Sequence, residues 1–301
     1  NVYRINENAA RLQENGRFAI DELNRDIRMA GFTGCSSNTS INNLAKSADG
    51  NFTEAIMAYD VVPASPSIGI SSTDVYGNTD VIRIQRAVSA GAKLDGNLNP
   101  NNAQIQITNN KTGFVAGDIV VVSDCVKTDV FEATNVSSSS GKVTIAHASN
   151  ANVANKLSKI YQDKTDILRL SHNLYYVGSG TDPNCPKKNL CRKRLTGNSL
   201  GPAEILADNV EDMQIKVGED MNTDADSVPN RADRYIDPGT AGIVWKNIVS
   251  TRVELLISSK DDNVATVSQT PVFNGSALTG ITDKKLRRVF ASTVTLRNRA
   301  P

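Results

Sequence analysis

Asn1-Val-Tyr-Arg-Ile-Asn-Glu-Asn-Ala-Ala-Arg-Leu-Gln-Glu-Asn-Gly-Arg-Phe-Ala-Ile-Asp-Glu-Leu-Asn-Arg-Asp-Ile-Arg-Met-Ala30 carries a single apolar stripe. Ile5, Ala9, Leu12, Ala19, Leu23, Ile27 and Ala30 recur at steps of three, four or seven, with Gly16 in the one missing turn. That spacing lines one side of an α-helix. The opposite side sets Glu7 four residues before Arg11 and Asp21 four before Arg25, the favourable order for helix ion pairs. Gly31 and Gly34 then predict the stop.

Working outward, residues 36–79 read as irregular, with Pro63, Pro66 and many Ser and Asn, although Ala55-Ile56-Met57 is apolar enough to dock on a core. From residue 80 the period changes to two. Strands are expected at Asp80 to Val88, Ala103 to Thr108, Asp118 to Ser123, Lys142 to Ala146, Ile167 to Ser171, Leu174 to Val177 and Met213 to Val217. Two more follow at Ile243 to Ser258, interrupted near Asn247, and Val289 to Arg297. One helix followed by mostly antiparallel strands is an α+β arrangement: a helix over 1–34, an irregular connection over 35–79 and a β-rich remainder over 80–301 of the same domain. Ser137 to Ser140, the low-complexity patch, reads as a hairpin tip.

The 301 residues hold 33 Lys+Arg against 32 Asp+Glu, a net charge of +1 that excludes a generally basic nucleic-acid binder. Asn alone numbers 31, which suits turns and exposed loops. No apolar run approaches the roughly 18 residues of a membrane span, and the first residues do not form a signal peptide.

The run from Arg11 to Cys35 resembles the second half of the N-terminal helix in PilW-type minor pilins of bacterial type IV pili. Gly117 to Cys125, continuing through Asp129 to Thr134, looks like the central strand of that family with its cysteine. Asn209 to Ile215 and Leu286 to Arg299 resemble its later strands. The resemblance implies a pilin-like fold, a helical spine packed on a twisted antiparallel sheet with large loop insertions. Such pilins begin with a cleaved leader and a hydrophobic half-helix carrying a glutamate; neither stands in this sequence, which then implies a truncated soluble periplasmic domain. The implied role is structural rather than enzymatic. The protein would be anchored in the inner membrane through that segment before assembly, and would then enter the pilus beside other minor pilins, the major pilin and a tip adhesin. There it would prime polymerisation and support adhesion, twitching motility or DNA uptake. On this reading Leu12, Leu23 and Ile27 pack on the sheet, while Tyr3, Ile5 and Glu7 protrude toward the filament. The alternatives are a minor pseudopilin of type II secretion and a tip module that binds DNA or a surface ligand.

Four cysteines allow three pairings. Cys185 and Cys191 bracket a short ring, whereas Cys35 ends the helix and Cys125 ends a strand, so the expected bridges are Cys35–Cys125 and Cys185–Cys191. Disulfides would indicate an oxidising compartment, and the competing zinc reading lacks paired C-x-x-C or nearby histidine spacing. Lys187, Lys188, Arg192, Lys193 and Arg194 crowd in and beside the small ring, a candidate phosphate-contacting loop whose plainer reading is a solvated basic loop, since no aromatic is interleaved to stack on bases. Asp220, Asn222, Asp224 and Asp226 place oxygen ligands at alternate positions, with Asp233 or Asp237 available to complete a calcium loop. Ala225 and Arg231 depart from that pattern, and a plain acidic loop competes with it.

Catalysis draws little support. Gly197-Asn-Ser199-Leu-Gly201 has a nucleophile-elbow spacing but reads as a turn. His147 and His172 read as structural, and Asp261-Asp262 as solvated.

Overall fold

The apolar stripe folds as one helix, α1 (Val2–Met29). It closes at Gly31, whose φ of +80° is the left-handed cap that glycine adopts without a Cβ penalty. The computed structural model describes residues 2–34, 40–52, 54–63, 68–96, 99–111, 113–139, 142–221 and 231–298, and everything structural below concerns those.

Among the described residues there are seventeen strands, numbered in chain order. Eight form the first sheet: β1 (Ser40–Asn43), β2 (Ile56–Tyr59), β3 (Val81–Lys93), β5 (Ile119–Ser123), β6 (Lys127–Glu132), β9 (Asp166–Val177), β10 (Leu190–Thr196) and β11 (Ser199–Ala207). A second sheet has the order β13-β12-β14-β17, from β12 (Val210–Glu219), β13 (Arg234–Ile236), β14 (Ile248–Ser258) and β17 (Arg287–Thr295). β4 (Gln104–Ile107), β7 (Asn135–Ser139) and β8 (Lys142–Ala146) make a small third sheet, and β15 (Val272–Phe273) with β16 (Ser276–Ala277) a hairpin.

β9 organises the first sheet. β3 runs antiparallel along one of its edges, while β5 and then β10 share the other. The two segments expected around His172–Asn173 are therefore one strand, because both polar residues are buried between neighbours rather than turned out into a loop. Where one continuous antiparallel sheet was expected, the chain builds separate sheets, and β1 pairs with β6 in parallel. The connection expected to be irregular over 35–79 supplies β1 and β2. Four-residue strands are too short to show a period, but Ile56 is fully buried. The family-like central strand at 117–134 is a β5–β6 hairpin.

A common apolar core joins α1 to both large sheets. Ile82, Ile84 and Tyr175 come from the first sheet; Met213, Ile215, Val253, Leu255 and Val294 come from the second. On the far face of the first sheet, Ala45 and Phe52 cover Val121, Val130, Leu168 and Leu170, while Ile68 and Ile70 cover Leu174 and Tyr176. The helix thus lies across the two sheets.

Candidate functional site

The seat of α1 begins with its stripe. Leu12 is 3% exposed, and Leu23 and Ile27 are fully enclosed between the sheets. At the missing turn the Phe290 ring fills the space: a Cβ on Gly16 would lie 2.2 Å from Phe290 Cε2. Glycine is there because the aromatic ring of β17 needs the backbone surface.

A polar latch sits beside this stripe. Asp26 is 2% exposed. Its carboxylate accepts hydrogen bonds from Asn173 Nδ2 and Tyr175 OH on β9 and faces Arg86 Nη2 of β3 at 3.4 Å. Burial and the adjacent Asp26 charge push the Tyr175 phenol well above its ordinary value. One turn earlier, Glu22 accepts from Arg192 Nη1 at 3.0 Å, and Arg192 reaches Glu204 of β11 with its other nitrogen. Arg25 pairs with Glu22 at 2.7 Å rather than with Asp21, which stays exposed. The stripe reading passed over Asp26, yet the signal was present: a carboxylate three residues after Leu23 and four before Ala30, inside the apolar arc.

The first two turns are held differently. Tyr3 is 82% exposed. Ile5 and Glu7, expected to protrude, are half-buried, and the 261–263 loop binds their neighbours on the helix. Arg4 Nη2 donates to Asn263 O at 2.8 Å and Asn8 Nδ2 to Asp261 Oδ2 at 3.2 Å. The Glu7–Arg11 pair forms at 2.8 Å on the surface.

Cys185 and Cys191 are bonded, with their Cα atoms 6.0 Å apart. Cys125 occupies the β5–β6 turn at φ +69° and is disulfide-bonded. Cys35, its expected partner, lies outside the described residues. The basic cluster is not a phosphate-facing loop. Arg192, Lys193 and Arg194 belong to strand β10, and alternation sends Lys193 to one face and both arginines to the other. Four of the five cations meet carboxylates: Lys188 with Glu211, Arg192 with Glu22 and Glu204, Lys193 with Asp182, and Arg194 with Glu204. Lys187 lies over the Tyr76 ring, 5.4 Å from its centroid. Sequence proximity collected these charges, and the strand separated them.

Of the calcium candidates, Asn222, Asp224 and Asp226 lie outside the described residues. Asp220 is buried. Asp237 is taken by Lys216 Nζ at 2.8 Å, and Asp233 accepts the Met221 N–H at 2.6 Å. No group of three or more potential metal ligands forms among the described residues.

Gly197 and Asn198 turn between β10 and β11, so Ser199 heads a strand. His172 is fully buried, its Nδ1 3.1 Å from Asp49 O, and burial lowers its pKa to about 4. His147 is enclosed against the Phe131 ring, and burial lowers its pKa as well.

The model of the family described as type IV pilus-assembly protein W matches residues 174–298, the segment from the end of β9 through β17. Three of the elements that seat α1, namely β11, β14 and β17, lie inside the match; the helix itself lies outside it. Among solved structures, a type IV-like pilin from Thermus thermophilus superposes with a TM-score of 0.40 at 12% identity, over 97% of this chain and 98% of that one. No curated protein matches the chain. No described helix is long and apolar enough to cross a membrane.

Proposed function

We propose that this chain is a structural subunit of type IV pilus assembly, acting as a minor pilin in a tip complex that primes polymerisation. The observation that carries the reading is the pilus-assembly match over residues 174–298, which supplies β14 and β17 of the helix seat. The arrangement suits a subunit that keeps its fold while presenting a helix end. The buried latch fixes α1 to the sheets, and Tyr3 stands at the opposite end almost free of the domain. The implied partners are other pilins, and the implied place is the cell envelope before assembly and the pilus afterwards.

The test is genetic and morphological. Deleting the gene should lower the number of pili per cell. Wild-type protein should restore it, whereas Tyr3→Asp should restore the protein level but not the pili. Full piliation after the deletion would remove the assembly role.

A further inference from the structure

The small third sheet packs on an apolar cluster separate from the helix seat, and a pocket of about 220 Å³ opens beside its strand β4. β8 pairs with one edge of β4. At the other edge Asp95, Asn99 and Asn102 line the pocket together with Gln104 and Gln106. Leu94 and Ile105, both buried, complete the lining.

Four of these side chains are amides, groups that donate and accept at once. Those of Asn102 and Gln104 are exposed and make no hydrogen bond among the described residues. Asn99 spends its oxygen on the Asn101 N–H at 3.0 Å and Gln106 its oxygen on Lys142 Nζ at 3.4 Å, so both keep their NH2 groups. An apolar ligand would strip water from these amides and return nothing.

The charges around the opening cancel. Asp95 is the one carboxylate in the lining, and Asp163 accepts the Gly96 N–H at the rim at 2.8 Å. Lys164 Nζ stands 3.8 Å from Asp95 and 3.2 Å from Asp163, and Lys142 adds a second cation beside Gln106. Neither a metal ion nor an anion is favoured by that balance. An added peptide strand is disfavoured too. The Asp95 N–H donates to Gln106 O at 2.9 Å and the Thr108 N–H to Lys93 O at 2.8 Å, so the chain itself already occupies much of the outer edge of β4. Beside the pocket the outer face of the sheet is neutral. Its register sets Gln104 in a row with Ala146 and Asn135, and Gln106 with Thr144 and Ser137, while Ile105, Ile145 and Val136 turn to the core.

We propose that this pocket receives one sugar unit of a neutral glycan. Sugar hydroxyls donate and accept, as the four amides do, and Asp95 accepts from hydroxyls without offering an anion any counter-charge. The volume falls below the roughly 300–1,000 Å³ of sites for drug-sized ligands, which restricts the pocket to a single ring. Further units run over the polar rows through Thr144 and Ser137. No aromatic residue lines the pocket, so a single unit is held weakly, by hydrogen bonds. Such binding stands apart from the pilus reading and is measured on the isolated protein.

The probes are the methyl glycosides of glucose, galactose, mannose and N-acetylglucosamine, with glucuronate as the anionic comparison and an uncharged Gly-Ser peptide as the peptide one. The readout is the NMR signals of the side-chain amides. At least one neutral glycoside should give saturable shifts at Asn99, Asn102, Gln104 and Gln106, and should bind more tightly than glucuronate. Asn102→Leu and Gln104→Leu change exposed side chains that hold nothing in place, and each should weaken that glycoside about five- to tenfold, the worth of a net hydrogen bond. Gln13→Leu, an exposed amide on α1, should leave it unchanged. No saturable shift with any neutral glycoside, equal or tighter binding of glucuronate or of the Gly-Ser peptide, or undiminished binding in both folded leucine variants would overturn the proposal.

Discussion

The two ends of α1 are made from the same helix and held by different physics. From Leu12 to Ala30 the helix buries its apolar face against two sheets and is fixed by a buried carboxylate with three donors around it. From Tyr3 to Asn8 it touches one loop through two side-chain bonds. Apolar burial is worth about 25 cal/mol per Å², whereas an exposed hydrogen bond nets roughly 1 kcal/mol or less. The first end therefore belongs to the folding unit, and the second adds little to it. A subunit that must hold a helix while offering its tip to neighbours needs this inequality.

The comparison breaks most visibly at Asp26. Asp26→Ala leaves Arg86, Asn173 and Tyr175 facing a buried void, and should cost about 3–5 kcal/mol in urea unfolding. A loss below about 1 kcal/mol would show that the latch does not hold the helix. Leu23→Ala should cost roughly 2–5 kcal/mol by cavity formation, read in the same titration.

Acid acts on the floor beneath that end. His172, next to Asn173 on β9, holds its folded pKa near 4 against an ordinary 6.5. As pH falls the unfolded chain takes the proton first, so the stability present above pH 6.5 should drain away down to pH 4, by about 3 kcal/mol in all. His172→Gln should flatten that part of the melting-temperature profile.

Gly16→Val should cost about 1–3 kcal/mol, because the new side chain displaces the Phe290 ring. Arg4→Ala, at the loosely held end, should change stability by less than about 1 kcal/mol. If Arg4→Ala proved as damaging as Leu23→Ala, the division of the helix would fail.

By itself the sequence determined the helix, its extent and its buried side, because a 3.6-residue period over nearly thirty residues has no competing explanation. It determined most long strands for the same reason: β3, β12, β14 and β17 alternate or run apolar along their length. The turn at Gly197 was legible too, since the chemistry of a reversal is local.

Only the tertiary structure decided what depended on distant partners. β1 and β2 exist because β6 and β3 wait for them, and four residues carry no period of their own. The five basic residues near Cys185–Cys191 formed a patch on paper, but strand alternation and carboxylates from Glu22, Asp182, Glu204 and Glu211 dispersed it. Asp26 broke the stripe in the sequence and became its anchor only when β3 and β9 brought donors beneath it. Periodicity is written in neighbours along the chain, whereas the cost of burying a charge is settled by whichever groups the fold places around it.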